Sequence, residues 1–210
     1  SARPGSATVK PEILAIAVST GGPNALATLL PRLPAELSVP IVIVQHIPPM
    51  FSKALADRLD TKCALHVQEG ADGELLLPGQ IWIAPGDFHM TVEREGGQLK
   101  IATNKNAPEN SCRPAADVLF RSVADVFGAA SLGLVLTGMG SDGLKGAHEI
   151  VRVGGRVIAQ DEASSIVWGM PGAVVNAGLT DRVVSLDGLA SEILARVGTD
   201  YGAAVPTGRH

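Results

Sequence analysis

Residues 12–22, Glu12-Ile13-Leu14-Ala15-Ile16-Ala17-Val18-Ser19-Thr20-Gly21-Gly22, decide the fold. Six apolar residues in a row, Ile13 to Val18, make a strand-length run with no polar alternation. That pattern predicts a central parallel strand covered on both faces. Gly21 and Gly22 then permit a turn that a side chain would block, and Pro23 suits the first turn of a helix. Leu26, Leu29, Leu30 and Leu33 follow at i, i+3, i+4, i+7 spacing and give that helix one apolar face. Ser19 therefore sits at the carboxyl end of a strand, beside the N–H groups of a helix start. Such a corner can serve both a nucleophile and a developing oxyanion. The same serine could equally cap the helix, and the corner alone does not separate the two readings.

Working outward, Val39 to Val44 is a second apolar run, closed by Gln45-His46-Ile47-Pro48-Pro49. The prolines end the strand and place His46 on a loop. A helix is predicted over 50–59 with Phe51, Leu55 and Leu59 inward, so the opening reads βαβα, the signature of a parallel sheet. The pattern then changes. Strands are predicted over 64–68 and 80–84, and the short segments 88–95 and 98–103 meet at Gly96-Gly97, a hairpin signal. A helix opened by Pro114 presents Ala116, Leu119, Val123 and Phe127. The strand 132–137 leads to Gly138-Met139-Gly140-Ser141-Asp142-Gly143 and a helix over 144–153 with Leu144, Ala147 and Val151 inward. A strand over 156–160, a short helix after Pro171, a strand near 182–185 and a helix bearing Ala190, Ile193, Leu194 and Val197 complete the pattern. The expected architecture is α/β: a doubly wound, mostly parallel sheet flanked by helices, with a small antiparallel hairpin extension. Residues 1–11 read as a linker, 12–198 as one catalytic domain and 199–210 as a disordered tail.

The whole chain narrows the function classes. Its 210 residues suffice for one domain with a full core. No apolar run approaches the roughly 20 residues of a membrane span, so no membrane insertion is expected. The first ten residues lack the apolar centre of a signal peptide. With net charge −4 and no Lys/Arg cluster, a nucleic-acid partner is not expected. Cys63 and Cys112 are far apart and form no CxxC pair, which points to reduced thiols in a cytoplasmic protein, a single disulfide being the alternative.

Ser19, His46 and Asp142 each follow a predicted parallel strand, and loops beyond the carboxyl ends of such strands share one rim. Together their types match a serine, a base that takes its proton and a carboxylate that fixes the imidazole. Each has a plainer reading: His46 as a structural or surface residue, Asp142 as the cap of the helix at Leu144. The loop GMGSDG at 138–143 also fits G-x-G-x-x-G, with Asp161 near the position of a ribose-binding acid, so a dinucleotide-binding oxidoreductase is a rival. Against it, Asp142 would set a carboxylate where pyrophosphate should lie. The order Ser, His, Asp differs from the Ser, Asp/Glu, His of α/β-hydrolases, and Ala17 departs from G-x-S-x-G.

AVSTGGP at 17–23, QHIPP at 45–49, TGMGSDG at 137–143 and QDEASSIVWGMP at 160–171 together resemble the catalytic domain of the CheB chemotaxis receptor methylesterases over about residues 12–198. The resemblance implies a serine hydrolase that removes methyl groups from glutamate methyl esters on bacterial chemoreceptors and deamidates certain receptor glutamines. It places nucleophile, base and acid on Ser19, His46 and Asp142, and secondary roles on Thr20 and the Met139 backbone N–H. It implies no metal or organic cofactor, a cytoplasmic location and receptor helices as partners. The family usually has Gly where Ala17 stands, and normally carries an N-terminal receiver domain for which this chain has no room. Activity without phosphorylation is therefore expected. A non-catalytic receptor-binding module is the third reading.

Overall fold

A computed structural model of the chain describes residues 8–199. β1 (Ile13–Val18) lies at the centre of a seven-stranded parallel sheet, and every residue of the strand is buried. Its neighbours are β2 (Ile41–Gln45) and β7 (Ser131–Val135). Outside β2 lie β4 (Gln80–Ile83) and then β3 (His66–Glu69); outside β7 lie β8 (Arg156–Gln160) and then β9 (Arg182–Val184). The sheet order is thus β3-β4-β2-β1-β7-β8-β9.

Alternation along β1 feeds two cores, because successive side chains leave a strand on opposite faces. Leu14, Ile16 and Val18 pack with residues of α1 (Gly22–Leu29), α2 (Phe51–Asp60) and α6 (Leu189–Val197), among them Leu26, Leu55 and Ile193. Ile13, Ala15 and Ala17 pack with residues of α3 (Ala116–Phe127), α4 (Leu144–Arg152) and α5 (Gly169–Asn176), among them Phe120, Ile150 and Val174. Continuous apolar strands are what such double coverage requires. The chain winds from β1 toward β2, then returns through α3 to β7 on the other side, so the crevice where the winding reverses opens beside β1, at the carboxyl ends of the strands.

The hairpin β5 (His89–Glu95) and β6 (Gln98–Asn104) forms a separate two-stranded sheet rather than lengthening the main one. Met90, Val92 and Ile101 join the second core, and the Val92 N–H donates to Ser122 Oγ on α3 at 3.1 Å.

Several local expectations are corrected. Phe51 is 61% exposed, while Ala56 takes the inward place beside Leu55 and Leu59. In α4 the inward residue is Ile150, and Val151 faces outward. In both helices a single large side chain suggests an apolar stripe that the packing sets one position away. α1 ends at Leu29 and a 3₁₀ turn follows over Leu30–Arg32, but Leu26, Leu29, Leu30 and Leu33 are all buried. α5 begins at Gly169, ahead of Pro171. Of the expected linker, Pro11 is buried, and Thr199 of the expected tail bridges Leu37; residues 1–7 and 200–210 lie outside the described residues.

Candidate active site

The parallel ladders extend one step past the strands and bring three loops together. The His46 N–H donates to Val18 O at 3.2 Å, and the Ser19 N–H donates to Thr137 O at 3.0 Å. The turn after β1 is closed by the Gly22 N–H on Ser19 O at 2.8 Å, with Gly21 at φ 81° as the N-cap of α1. Ser19 does not cap that helix: no side-chain cap bond is made there. Its hydroxyl instead accepts the Met139 backbone N–H at 3.1 Å, and Ser19 is 8% exposed. A Cβ at Gly138 would lie 2.6 Å from Ser19 Oγ, so only glycine lets the loop after β7 come this close. Ala17 sits inside β1, outside the set of positive-φ residues, so a methyl there costs the turn nothing.

Asp142 is 3% exposed and caps a helix, but not the expected one. The N-cap of α4 is Gly143. Asp142 reaches across to α3, where its Oδ2 accepts the Ala116 N–H at 2.6 Å and its Oδ1 the Asp117 N–H at 3.0 Å. Oδ2 also meets His46 Nε2 at 2.6 Å, and Oδ1 accepts Asn110 Nδ2 at 2.9 Å. Burial opposes ionisation of this carboxyl, but the His46 and backbone N–H bonds outweigh it and hold Asp142 below the usual carboxylate range. A carboxylate charged and fixed in this way favours the neutral His46 tautomer with its proton on Nε2.

Ser19, Thr20, Gln45, His46, Ile47 and Met139 line one open cleft. His46 and Asp142 are in direct contact; among the described residues no hydrogen bond joins His46 to Ser19. With Nε2 on Asp142, the ring nitrogen left for proton transfer is Nδ1, which lies 3.9 Å from Cys112 Sγ. Thr20 is exposed, and its carbonyl accepts Thr137 Oγ1 at 2.9 Å. His46, Cys112 and Asp142 also offer donor atoms within 4.8 Å of one another. Both Asp142 oxygens already accept two bonds each, and burial followed by the Asp142 charge pushes the Cys112 thiol up.

The helix N-terminus after GMGSDG is occupied as well. Asp117 Oδ1 accepts the Gly143 N–H at 3.0 Å and the Gly146 N–H at 2.7 Å. A phosphate would need those amides. Asp161 is turned into its own loop, where Oδ1 accepts the Ser164 N–H at 3.0 Å. The dinucleotide reading therefore loses both of its binding elements.

The residues 14–193 match the family model described as CheB methylesterase. The chain belongs to the CheB methylesterase family. It is 56% identical over 191 residues to a protein-glutamate methylesterase/protein-glutamine glutaminase of Trichodesmium erythraeum, covering 91% of this chain and 54% of that protein. A protein of the same name from Maricaulis maris is 50% identical over 189 residues, covering 90% and 47%. The chain thus spans about half the length of the curated relatives it matches. The CheB catalytic domain of Thermotoga maritima superposes with a TM-score of 0.87 at 40% identity, over 89% of this chain and 99% of that one. Among the described residues no helix is long and apolar enough to cross a membrane.

Two glutamines escaped the sequence reading. Gln45 ends β2, and its Nε2 donates to Ser19 O at 2.9 Å and His46 O at 3.1 Å, tying the two loops together. Gln160 ends β8, and its Oε1 accepts the Thr137 N–H at 2.9 Å. The signal that could have found them is a polar residue closing an otherwise apolar strand. A buried amide of that kind needs partners.

Proposed function

We propose that this CheB-family chain is the catalytic part of a protein-glutamate methylesterase that also deamidates glutamines, acting on bacterial chemoreceptors in the cytoplasm. The observation that carries the reading is the 2.6 Å contact of His46 with buried Asp142 on the same cleft as Ser19, whose oxygen meets the Met139 N–H. The names of the relatives supply the substrate class.

In this reading a receptor glutamate methyl ester enters the cleft and Ser19 Oγ attacks its carbonyl carbon. The Ser19 hydroxyl in this reading turns to His46 Nδ1, which takes its proton while Nε2 stays on Asp142. The Met139 N–H, released from Ser19 Oγ, turns to the developing oxyanion, a donor already in place when charge appears. Thr20, at the mouth, orients the substrate. His46 returns the proton to methoxide, methanol leaves, and water clears the acyl-enzyme by the same steps in reverse roles. An amide in place of the ester releases ammonia. Asp142 keeps its charge throughout and steadies the imidazolium. The remaining half of a full-length relative would hold the receiver domain that controls access to this cleft.

Methanol release from methylated receptor membranes tests the reading. By analogy with other serine triads, Ser19→Ala lowers kcat about a million-fold, and Asp142→Asn about ten-thousand-fold through the wrong tautomer. Wild-type release by Ser19→Ala would refute it.

A further inference from the structure

Behind Asp142 lies a second buried carboxylate. Asp117 is 1% exposed, in the layer between α3 and α4. It caps α4 through the Gly143 and Gly146 amides, while Asp142 caps α3 through the Ala116 and Asp117 amides. Each helix start is thus held by the carboxylate that precedes or opens the other. The two positive helix ends face two negative groups. Glycine builds the close approach: a Cβ at Gly146 would collide with Phe120 Cβ and crowd Asp117 Cα at 3.2 Å.

Capping α4 uses only Oδ1 of Asp117. Its Oδ2 accepts Asn110 Nδ2 at 2.8 Å, and the same amide nitrogen donates to Asp142 Oδ1 at 2.9 Å. Asn110 and Ser111 hold positive φ, 54° and 60°, in the loop that delivers this amide. The connected path runs from the α4 amides through Asp117 and Asn110 to Asp142, and ends on His46 Nε2. The helix dipole favours a carboxylate at this end only modestly, while burying it costs more than a neutral cap would.

We propose that Asp117 is a positioning residue for the reaction: with Asn110 it fixes the Asp142 carboxylate on His46. This rests on the function proposed above. The groups facing the dyad are Cys112 on the ring, Asn110 and Asp117 behind Asp142, and, at longer range, the Glu109–Arg121 ion pair. Among these, Asp117 is the carboxylate that shares a hydrogen-bond donor with Asp142. Burial pushes the Asp117 carboxyl up, while the bonds from the Gly146 N–H, Asn110 Nδ2 and the Gly143 N–H work to keep it ionised.

The test measures kcat and KM of methanol release for Asp117→Asn and Asn110→Ala in the whole chain, with Ser19→Ala and Asp142→Asn alongside. Expected are kcat losses of about ten- to hundred-fold, the range found for residues that orient a reacting group from behind, with KM unchanged within about two-fold. If Ser19→Ala and Asp142→Asn are inactive but both new variants keep kcat within about two-fold, Asp117 only caps a helix and the inference is overturned. A fall in melting temperature without a kcat change would likewise reduce Asp117 to a helix cap and overturn it. Should Asp117→Asn not fold, Asn110→Ala decides, because it leaves both helix caps in place. Full activity in Ser19→Ala would instead sink the catalytic reading itself, and this inference with it.

Discussion

Gly138→Ala asks whether Ser19 Oγ is where the chemistry needs it. The substitution adds one methyl group and does not demand an unusual backbone, since Gly138 is not among the positive-φ glycines. The new Cβ would lie 2.6 Å from Ser19 Oγ, 2.5 Å from Met170 Sδ and 3.0 Å from the Ser19 nitrogen, whereas ordinary contact begins at 3.4 Å. Met170 is a flexible thioether and can yield at small cost. The Ser19 turn cannot yield as easily, because its N–H is bound to Thr137 O and its carbonyl to the Gly22 N–H and Gln45. Roughly 0.8 Å must be found at the nucleophile by rotation or by shifting the loop. A displacement of about 1 Å at a reacting atom costs about a hundred-fold in rate, while overpacking of this kind costs about 1–3 kcal/mol of stability. The assay is methanol release together with labelling of Ser19 by a fluorophosphonate. Both should slow by about a hundred-fold, with a melting curve that remains cooperative. Wild-type turnover in a folded Gly138→Ala protein would show that Ser19 Oγ does not face this glycine in the active enzyme, and the role given to the Met139 N–H would fall with it.

Gln45→Leu removes both side-chain donors from Ser19 O and His46 O in a buried place. It should cost about 1–2 kcal/mol in urea unfolding and lower kcat more than it raises KM. Gly22→Ala strikes the same contact from the other side, since its Cβ would collide with Gln45 Oε1; expulsion of that amide should reproduce the Gln45→Leu kinetics, and unchanged kinetics would show that the tie is dispensable. Burial, followed by the Asp60 charge, pushes the Cys63 thiol up to about 11. Since only the thiolate reacts, iodoacetamide at pH 8 should modify Cys63 roughly a hundred-fold more slowly than free cysteine, with the rate still rising above pH 9; a plateau below pH 9 would contradict the burial argument.

Much of the fold was legible along the chain because its signals are local. The apolar runs at 13–18, 41–44 and 132–135 can satisfy their side chains only between two helical layers, and the Gly96-Gly97 turn joins two seven-residue strands into a hairpin. Ser19, His46 and Asp142 could be nominated because each follows such a run, and the motifs around them are specific enough to name a family. Residue type could not say which oxygen bonds to which nitrogen. Asp142, four residues past Gly138, has the sequence position of a cap for α4, yet it caps α3; Asp117, inside the first turn of α3, caps α4 instead. That exchange depends on how closely two helices approach over Gly143 and Gly146, a distance set by packing between segments some 25 residues apart. Phe51 and Val151 were misplaced for a related reason: hydrophobicity marks a side chain as able to be buried, and only the neighbouring elements decide whether a surface is there to receive it. Sequence alone therefore gave the layers and nominated the side chains at the rim of the sheet. The tertiary structure decided their pairing, because hydrogen bonds of 2.6–3.1 Å between distant loops are chosen by the meeting of elements that no local pattern encodes.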